Sequence, residues 1–408
     1  MRRAFAVLAV VCSAAVADAR AQDWPQFRGP TGQGHSTEAN LPAEFSETKH
    51  VAWKTPVPGL GWSSPVVAGG RVWVTTSIGD NDVSLRALAY DVESGKAVVD
   101  TEVFRLRRGR DINPKNSHAS PTPVIDGDRV YVHFGANGTA ALTPDGAIVW
   151  SIKLPYESQH GAGGSPIVHK DLLILSCDGH DQAFVVALDK RTGKVKWKTN
   201  RRQPADQAYT TPLVIRVGDR DQIVSVGAFR ATAYEPDTGQ EIWRVGYGDG
   251  FSNVPQPVYG HGLVFIVTGF QQPAMMAVRA DGTGDVTRTH VAWTLQRGAP
   301  HTPSPLLVGD ELYVVTDGGI ASCLDARTGA VHWQMRLGGT YSASPVLADG
   351  RIYFLGEHGG VTTIAPGKRF QRIGSSMLDG SMLASMAVSG GSLFIRTDSH
   401  LYRISNRP

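Results

Sequence analysis

The sequence is short of the features that staple, anchor or strongly charge a protein. Of 408 residues only three are cysteines, too few for a disulfide framework. Cys177 and Cys323 stand far apart with no Cys-x-x-Cys spacing, so a cysteine-built metal centre is excluded as well. Downstream of the first 21 residues, no run approaches the roughly 18 apolar residues that a membrane span needs. Charge of one sign is missing too, with 40 Lys+Arg against 37 Asp+Glu. Without Arg2, Arg3, Arg20 and Asp18 the balance becomes 37 against 36, a net of +1, which argues against a nucleic-acid partner. There is no Gly-x-Ser-x-Gly elbow for a serine hydrolase and no glycine-rich phosphate loop.

Glycine, by contrast, is abundant. The chain has 46 glycines, about 11%, against an average near 7%, together with 24 prolines. A chain that turns this sharply and this often favours many short strands over long helices. An apolar share of 41% and a charged share of 19% are enough to form a large core. Length alone suggests two or three domains.

The first 21 residues read as an export signal. Arg2 and Arg3 precede the apolar run Phe5 to Ala17, and Ala19-Arg20-Ala21 gives an A-x-A pattern with cleavage expected after Ala21. Cys12 follows Val10-Val11 and not a small residue, so a lipid anchor is not expected. These features predict a periplasmic or secreted protein.

An internal repeat governs the rest of the chain. A Pro followed by apolar residues recurs as Ser64-Pro65-Val66, Thr122-Pro123-Val124, Ser165-Pro166-Ile167, Thr211-Pro212-Leu213, Gln256-Pro257-Val258, Ser304-Pro305-Leu306 and Ser344-Pro345-Val346. An eighth copy, Ser385-Met386-Ala387, has Met in place of Pro. Successive copies lie 58, 43, 46, 45, 48, 40 and 41 residues apart. A second phrase follows each first one and is clearest in Ala187-Leu188-Asp189-Lys190-Arg191-Thr192-Gly193 running on to Trp197, and in Cys323 to Trp333. Its Gly suits the left-handed position of a bulged hairpin turn, and its Trp falls on the next, outermost strand, where a flat side chain can pack on a neighbouring sheet.

Each repeat therefore predicts four antiparallel strands, and the chain an all-β, eight-bladed β-propeller. The last unit, from Ser385 to Ile404, supplies only three strands. The fourth is expected from His50 to Thr55, whose Trp53 has the outer-strand pattern, so one blade is built from both chain ends. The predicted organisation is a leader over 1–21, an extended strap over 22–48 and the propeller over 49–408. A closed ring hides its strand edges, and a monomer is expected.

The phrase Ala-Leu-Asp-x-x-Thr-Gly-x-x-x-Trp resembles the repeat of pyrroloquinoline-quinone-type propellers. Asp23-Trp24-Pro25-Gln26-Phe27-Arg28-Gly29-Pro30, Asn116 to Pro123 and Tyr341 to Pro345 are similar to segments of exported proteins with that fold. The resemblance spans residues 22–408 and points two ways. Quinoprotein dehydrogenases carry an adjacent disulfide-linked cysteine pair, a calcium ion and an Asp base, and this sequence has no such cysteine pair. BamB-like assembly factors are eight-bladed interaction proteins without cofactor, but the lipid-anchoring cysteine of that group is missing here.

In a propeller the residues before each inner strand gather around the axis on one face. Trp62, His118, His160, Tyr209, Asn253, His301 and Tyr341 are expected there. The long first interval brings in Arg105, Arg107, Arg108 and Arg110, a set of guanidinium groups suited to carboxylates or phosphates. Asp178-Gly179-His180-Asp181 is weighed as a metal loop against ordinary turn chemistry. Cys177 and Cys323 fall on different blades and are expected to be buried free thiols. Together these observations favour a non-catalytic scaffold that binds a protein or small ligand on its axial face, with no cofactor, no catalytic residue and no metal site expected. A quinone-dependent dehydrogenase with a degenerate calcium and quinone site is the alternative, and a propeller hydrolase or lyase a second one.

Overall fold

A computed structural model describes residues 22–107, 112–271 and 273–406. The export leader, Arg108 and Arg110 lie outside the described residues. Short strands form eight sheets that follow one another along the chain, each with its strands in antiparallel sequence order. The first blade is Val66–Ala68, Arg71–Ile78, Val83–Asp91 and Ala97–Leu106. The last blade is Ala387–Ser389, Ser392–Arg396 and His400–Ser405, completed by Val51–Pro56 from the other end of the chain. Pairing runs from Val51 opposite Ile404 to Pro56 opposite His400. The domain prior from length gives way to a single closed ring, the all-β propeller that the repeat predicts.

One blade departs from four strands. Gly284–Asp285, inside the fifth repeat, pairs in parallel with Glu241–Gly246 of the fourth blade, placing Gly284 opposite Trp243. An insertion between two strands of one blade thus extends its neighbour. Trp243 turns inward and donates to Gln222 Oε1 at 2.8 Å.

Elsewhere the outer-strand tryptophans join one blade to the next. Trp53, Trp150, Trp197, Trp293 and Trp333 donate their indole N–H groups to Val92, Lys190, Pro236, Ala326 and Gly367 carbonyls of the following blade, at 2.8–3.0 Å. Each of the first four indoles lies flat on a turn glycine. A Cβ on Gly193 (φ +72°) would come within 2.6 Å of Trp150, so here the glycine supplies both a left-handed turn and room for the ring. The seventh blade has Gly374, opposite Thr363, in the place of this tryptophan. The strap occupies the space, for a Cβ there would stand 2.2 Å from the Ala43 carbonyl.

At the axis the residues that begin each inner strand form a hydrogen-bonded ring. The N–H of Ser64 donates to Thr122 Oγ1, Thr122 to Ser165 Oγ, and Ser165 to Thr211 Oγ1, at 2.9–3.0 Å. Gln256 donates to Ser304, Ser304 to Ser344, Ser344 to Ser385 and Ser385 back to Ser64, at 2.9–3.1 Å. At the remaining step Gln256 instead sends its side-chain Nε2 to the Pro212 carbonyl, at 3.1 Å. Seven hydroxyls and one amide therefore link all eight blades.

The strap crosses the axis at the other end of the inner strands. Trp24 bonds both ways with Val67, and Ile125 donates to the Pro25 carbonyl. Tyr259 donates to Gln33 Oε1, Arg28 to the Pro305 carbonyl, and Ser36 to that of Leu347. Apolar packing fills the spaces between blades. Trp24, Leu41 and Phe45 of the strap join the core that includes Tyr353, Phe394 and Tyr402.

The indole seat gives a direct stability test. Gly193→Ala and Gly218→Ala both place an L side chain at positive φ, but Gly218 has nothing within 4 Å of its added Cβ. Gly218→Ala should cost about 1–2 kcal/mol, and Gly193→Ala a further 1–3 kcal/mol or so for overpacking against Trp150. Urea unfolding of the two variants checks this, and equal losses would show that the indole does not set the turn.

Candidate functional site

The ring of hydroxyls underlies a cavity of about 730 Å³ that opens on the face where the inner strands begin. Ser64, Thr122, Ser165, Thr211, Ser304, Ser344 and Ser385 all line it. So does the residue two places earlier in every repeat, namely Trp62, Ser120, Gly163, Tyr209, Val254, Thr302, Ser342 and Leu383. Extended backbone turns alternate residues to the same side, so position −2 lines the cavity in all eight repeats and position 0 in seven, Gln256 being the exception. Phe27 reaches the cavity from the strap.

Aromatic rings build much of the wall. His160 and Tyr209 lie with centroids 6.2 Å apart. Phe270 meets Phe251 at 6.2 Å and His301 at 6.1 Å, both edge to face, an arrangement favoured by the ring quadrupoles. Phe270 is 56% exposed. Ser252 (φ 51°) and Gln271 (φ 73°), next to Phe251 and Phe270, hold left-handed backbone, and the Phe270 N–H donates to the Phe251 carbonyl at 2.8 Å. Trp62 carries a buried indole nitrogen without a hydrogen-bond partner among the described residues.

The polar groups of the wall are mostly committed. Lys115 Nζ crosses to Glu357 Oε1 on the seventh blade, at 2.6 Å. Ser342 and Thr340 also donate to that carboxylate. Burial raises the Glu357 pKa, but the bonds from Lys115, Ser342 and Thr340 outweigh it and hold the group below the ordinary 4.5. Asp317 Oδ2 accepts the backbone N–H groups of His301 and Thr302 at 2.7 and 3.2 Å. Asn116 Nδ2 donates to the carbonyls of His160 and Ala162.

Of the residues expected at the axis, the structure brings Trp62, His160, Tyr209 and His301 to the cavity. Asn253 and Tyr341 are placed elsewhere. Each lies three residues before its ring position, as His301 does, but its side chain is taken up by packing within the protein. Asn253 is fully buried and donates to the Val267 carbonyl and the Tyr247 hydroxyl, while Tyr341 is buried in the core that includes Tyr313 and Phe354. His118 is half-buried outside the cavity lining, and desolvation lowers its pKa.

The arginine expectation is corrected for Arg105. It belongs to the outer strand of the first blade, and its guanidinium is taken up by Glu102 at 2.7 Å and Asp82 at 2.6 Å. The bonds from Arg105, then Ser84, bring Glu102 down to about 2. Arg107 is exposed and is not part of the cavity lining. The long first interval does reach the site, through Asn113, Lys115 and Asn116. Sequence reasoning missed these three, Asp317, and the phenylalanines of the rim. Six of the seven ring hydroxyls were visible as the Ser or Thr before a Pro and the seventh as Ser385 before Met386, and the period of two would have located the tier above them.

The Asp178 to Asp181 loop is structural. Asp178 is buried in a two-pronged pair with Arg201, at 2.5 and 2.9 Å. His180 pairs with Asp206, and Asp181 accepts the Glu157 N–H. Among the described residues no group of three His, Cys, Asp or Glu could hold a metal ion. Cys177 and Cys323 are buried free thiols in separate cores, and desolvation pushes Cys323 up to about 11.

The cavity does not fit a quinone with its metal. Asp317 is the one carboxylate among the lining residues, and two N–H groups already hold one of its oxygens. The one lysine among the described lining residues, Lys115, is paired with Glu357, so among them the carboxylates of such a quinone meet no unpaired lysine or arginine.

Comparison with known proteins agrees with the fold. The profile of the family described as outer membrane protein assembly factor BamB matches residues 36–157, 99–289 and 227–369. Among solved structures, BamB from Moraxella catarrhalis is 14% identical with a TM-score of 0.64, covering 88% of this chain and 97% of that one. A europium-containing methanol dehydrogenase is 11% identical with a TM-score of 0.66, covering 93% and 90%. Quinohemoprotein alcohol dehydrogenase ADHIIG from Pseudomonas putida HK5 is 12% identical with a TM-score of 0.51, covering 85% and 76%. No curated protein matches the sequence. At these identities the likeness is one of fold.

The Lys115–Glu357 contact has a defined pH dependence. A depressed carboxylate pKa means that its stabilisation is complete above pH 4.5 and lost as pH falls through the Glu357 value. The difference in melting temperature between wild type and Glu357→Gln should be present at pH 7 and fade below pH 4.5. A difference that persists unchanged at pH 3 would contradict this.

Proposed function

The chain belongs to the family of outer membrane protein assembly factor BamB, and from that footing we propose that it is an exported, non-catalytic binding scaffold of the cell envelope, presenting its axial cavity and rim to a protein or small ligand. The observation that carries this reading is the wall of the cavity. Aromatic rings, half-buried except for the exposed Phe270, line it, while Lys115 and Asp317 hold loops in place and the described lining residues form no nucleophile–base or acid–base pair. Aromatic side chains with few rotamers are the usual anchors of binding surfaces. Among the described residues no helix is long and apolar enough to cross a membrane, and the Ala19-Arg20-Ala21 pattern supports export of the mature chain from Gln22.

The second reading, a quinone-dependent dehydrogenase, draws support from the shape that this chain shares with the methanol and alcohol dehydrogenases. The donor set of the cavity speaks against it.

Two measurements separate the readings. Cross-linking in the native envelope should capture a specific partner with wild type and lose it with Phe270→Ala, while a change at the other end of an inner strand, Gly218→Ser, leaves it intact. Reconstitution with pyrroloquinoline quinone and calcium or europium should give no change in absorbance, no rise in melting temperature and no dye reduction with alcohols. Quinone binding with dye reduction would replace the scaffold reading by the dehydrogenase.

A further inference from the structure

We propose that the axial cavity binds a neutral saccharide, stacked on its aromatic rings and hydrogen-bonded to its hydroxyl-lined base. This inference deepens the scaffold reading and rests on it. Two features of the cavity must be met by one ligand. His160 with Tyr209, and Phe251 with Phe270 and His301, give two clusters of ring faces and edges contributed by the third to sixth blades. Trp62, carried by the first blade, stands across the ring of eight from Phe270 on the fifth. The base has the opposite character, with seven Ser and Thr hydroxyls, and Asn113, Asn116, Ser120, Thr302 and Ser342 lie above it.

Charge and desolvation narrow the ligand class. Among the described lining residues the one lysine, Lys115, is paired with Glu357, so they offer an anion no unpaired lysine or arginine. A cation finds one carboxylate, and two backbone N–H groups already offset its charge. A wholly apolar ligand would strip water from the hydroxyls and amides and return nothing, a cost of roughly 1–3 kcal/mol for each group left unpaired. A pyranose ring meets both demands. Its C–H faces lie against aromatic rings, and each hydroxyl on its edge donates and accepts, as Ser and Thr hydroxyls do.

Individual groups on the wall fit this partner. Among the described residues Asp317 Oδ1 takes no hydrogen bond, while Oδ2 is fixed by two, leaving a rigidly held acceptor for a sugar hydroxyl. The buried indole N–H of Trp62 has no acceptor among the described residues. The Phe251–Phe270 pair is displayed beside two non-glycine residues in left-handed backbone, Ser252 and Gln271, a conformation retained where a side chain must be presented. The volume, about 730 Å³, lies within the roughly 300–1,000 Å³ of small-ligand sites and suits a short oligosaccharide.

The test titrates the full mature chain with a panel of neutral oligosaccharides, namely β-1,4- and α-1,4-glucan, mannan, xylan and chitin fragments, followed by tryptophan fluorescence and calorimetry. At least one should bind saturably, with a Kd between micromolar and millimolar. Phe270→Ala and Asn113→Ala, both at exposed positions, should weaken binding about tenfold while circular dichroism and melting temperature stay near wild type. A folded wild type that binds none of the panel, or binding that both variants leave unchanged, overturns the proposal. Envelope partner capture that depends on Phe270 and survives excess oligosaccharide would sink the saccharide and keep the scaffold. Conversion of a bound oligosaccharide, seen by mass spectrometry, would keep the ligand class and remove the non-catalytic reading.

Discussion

The ring of hydrogen bonds at the axis is the constraint on which the rest of the molecule depends. A propeller must close eight wedges to within the tolerance of a hydrogen bond, and here the closure is made by a backbone N–H reaching the side chain of the next blade. The link from Ser385 back to Ser64 joins residues at opposite ends of the chain with the same 3.1 Å bond that serves neighbours. Each such bond contributes only about 0.5–1.5 kcal/mol net, but all lie where the blades are closest and water access is least. Once the ring is set, the orientation of every inner strand follows, and with it the tier of residues that faces the cavity.

Outside the axis, closure is repeated at larger radius by different chemistry. The indole docking of Trp53, Trp150, Trp197, Trp293 and Trp333 fixes the outer edges pairwise, and the strap ties the far end of the inner strands across the axis. Its passage over Gly374 explains why the seventh blade has no tryptophan there. A bulky residue at that position would collide with Ala43 and Glu44. The missing Trp is therefore part of the same packing scheme, with backbone from the chain's start taking the place of a side chain.

Most of the fold was legible because the repeat states one local structure many times. The Pro phrase marks inner strands, the Thr-Gly turn marks the third hairpin, and Trp53 ahead of the first full blade announces the shared eighth. The fifth strand on the fourth blade was not legible, since Gly284 and Asp285 have no strand pattern of their own and pair only because a neighbouring edge is within reach. For the site, choosing polar and aromatic residues ahead of each Pro found Trp62, His160, Tyr209 and His301. It misplaced Asn253 and Tyr341, which share the −3 position with His301. Asn253 is held by the Val267 carbonyl and the Tyr247 hydroxyl and Tyr341 by an apolar core, contacts that no local pattern states.

By itself the sequence determined the class of fold, the number of blades, the shared closing blade and the isolation of both thiols, since all of these follow from periodicity and local turn chemistry. Only the tertiary structure decided which groups meet at the axis. Arg105 looked free to bind an anion, but the hairpin fold brings Asp82 and Glu102 to it. Lys115 and Glu357 are 242 residues apart in the chain, yet the ring sets them at 2.6 Å and so pairs the one lysine among the described lining residues. Distances between repeats depend on how the whole circle closes, and no local pattern carries that information.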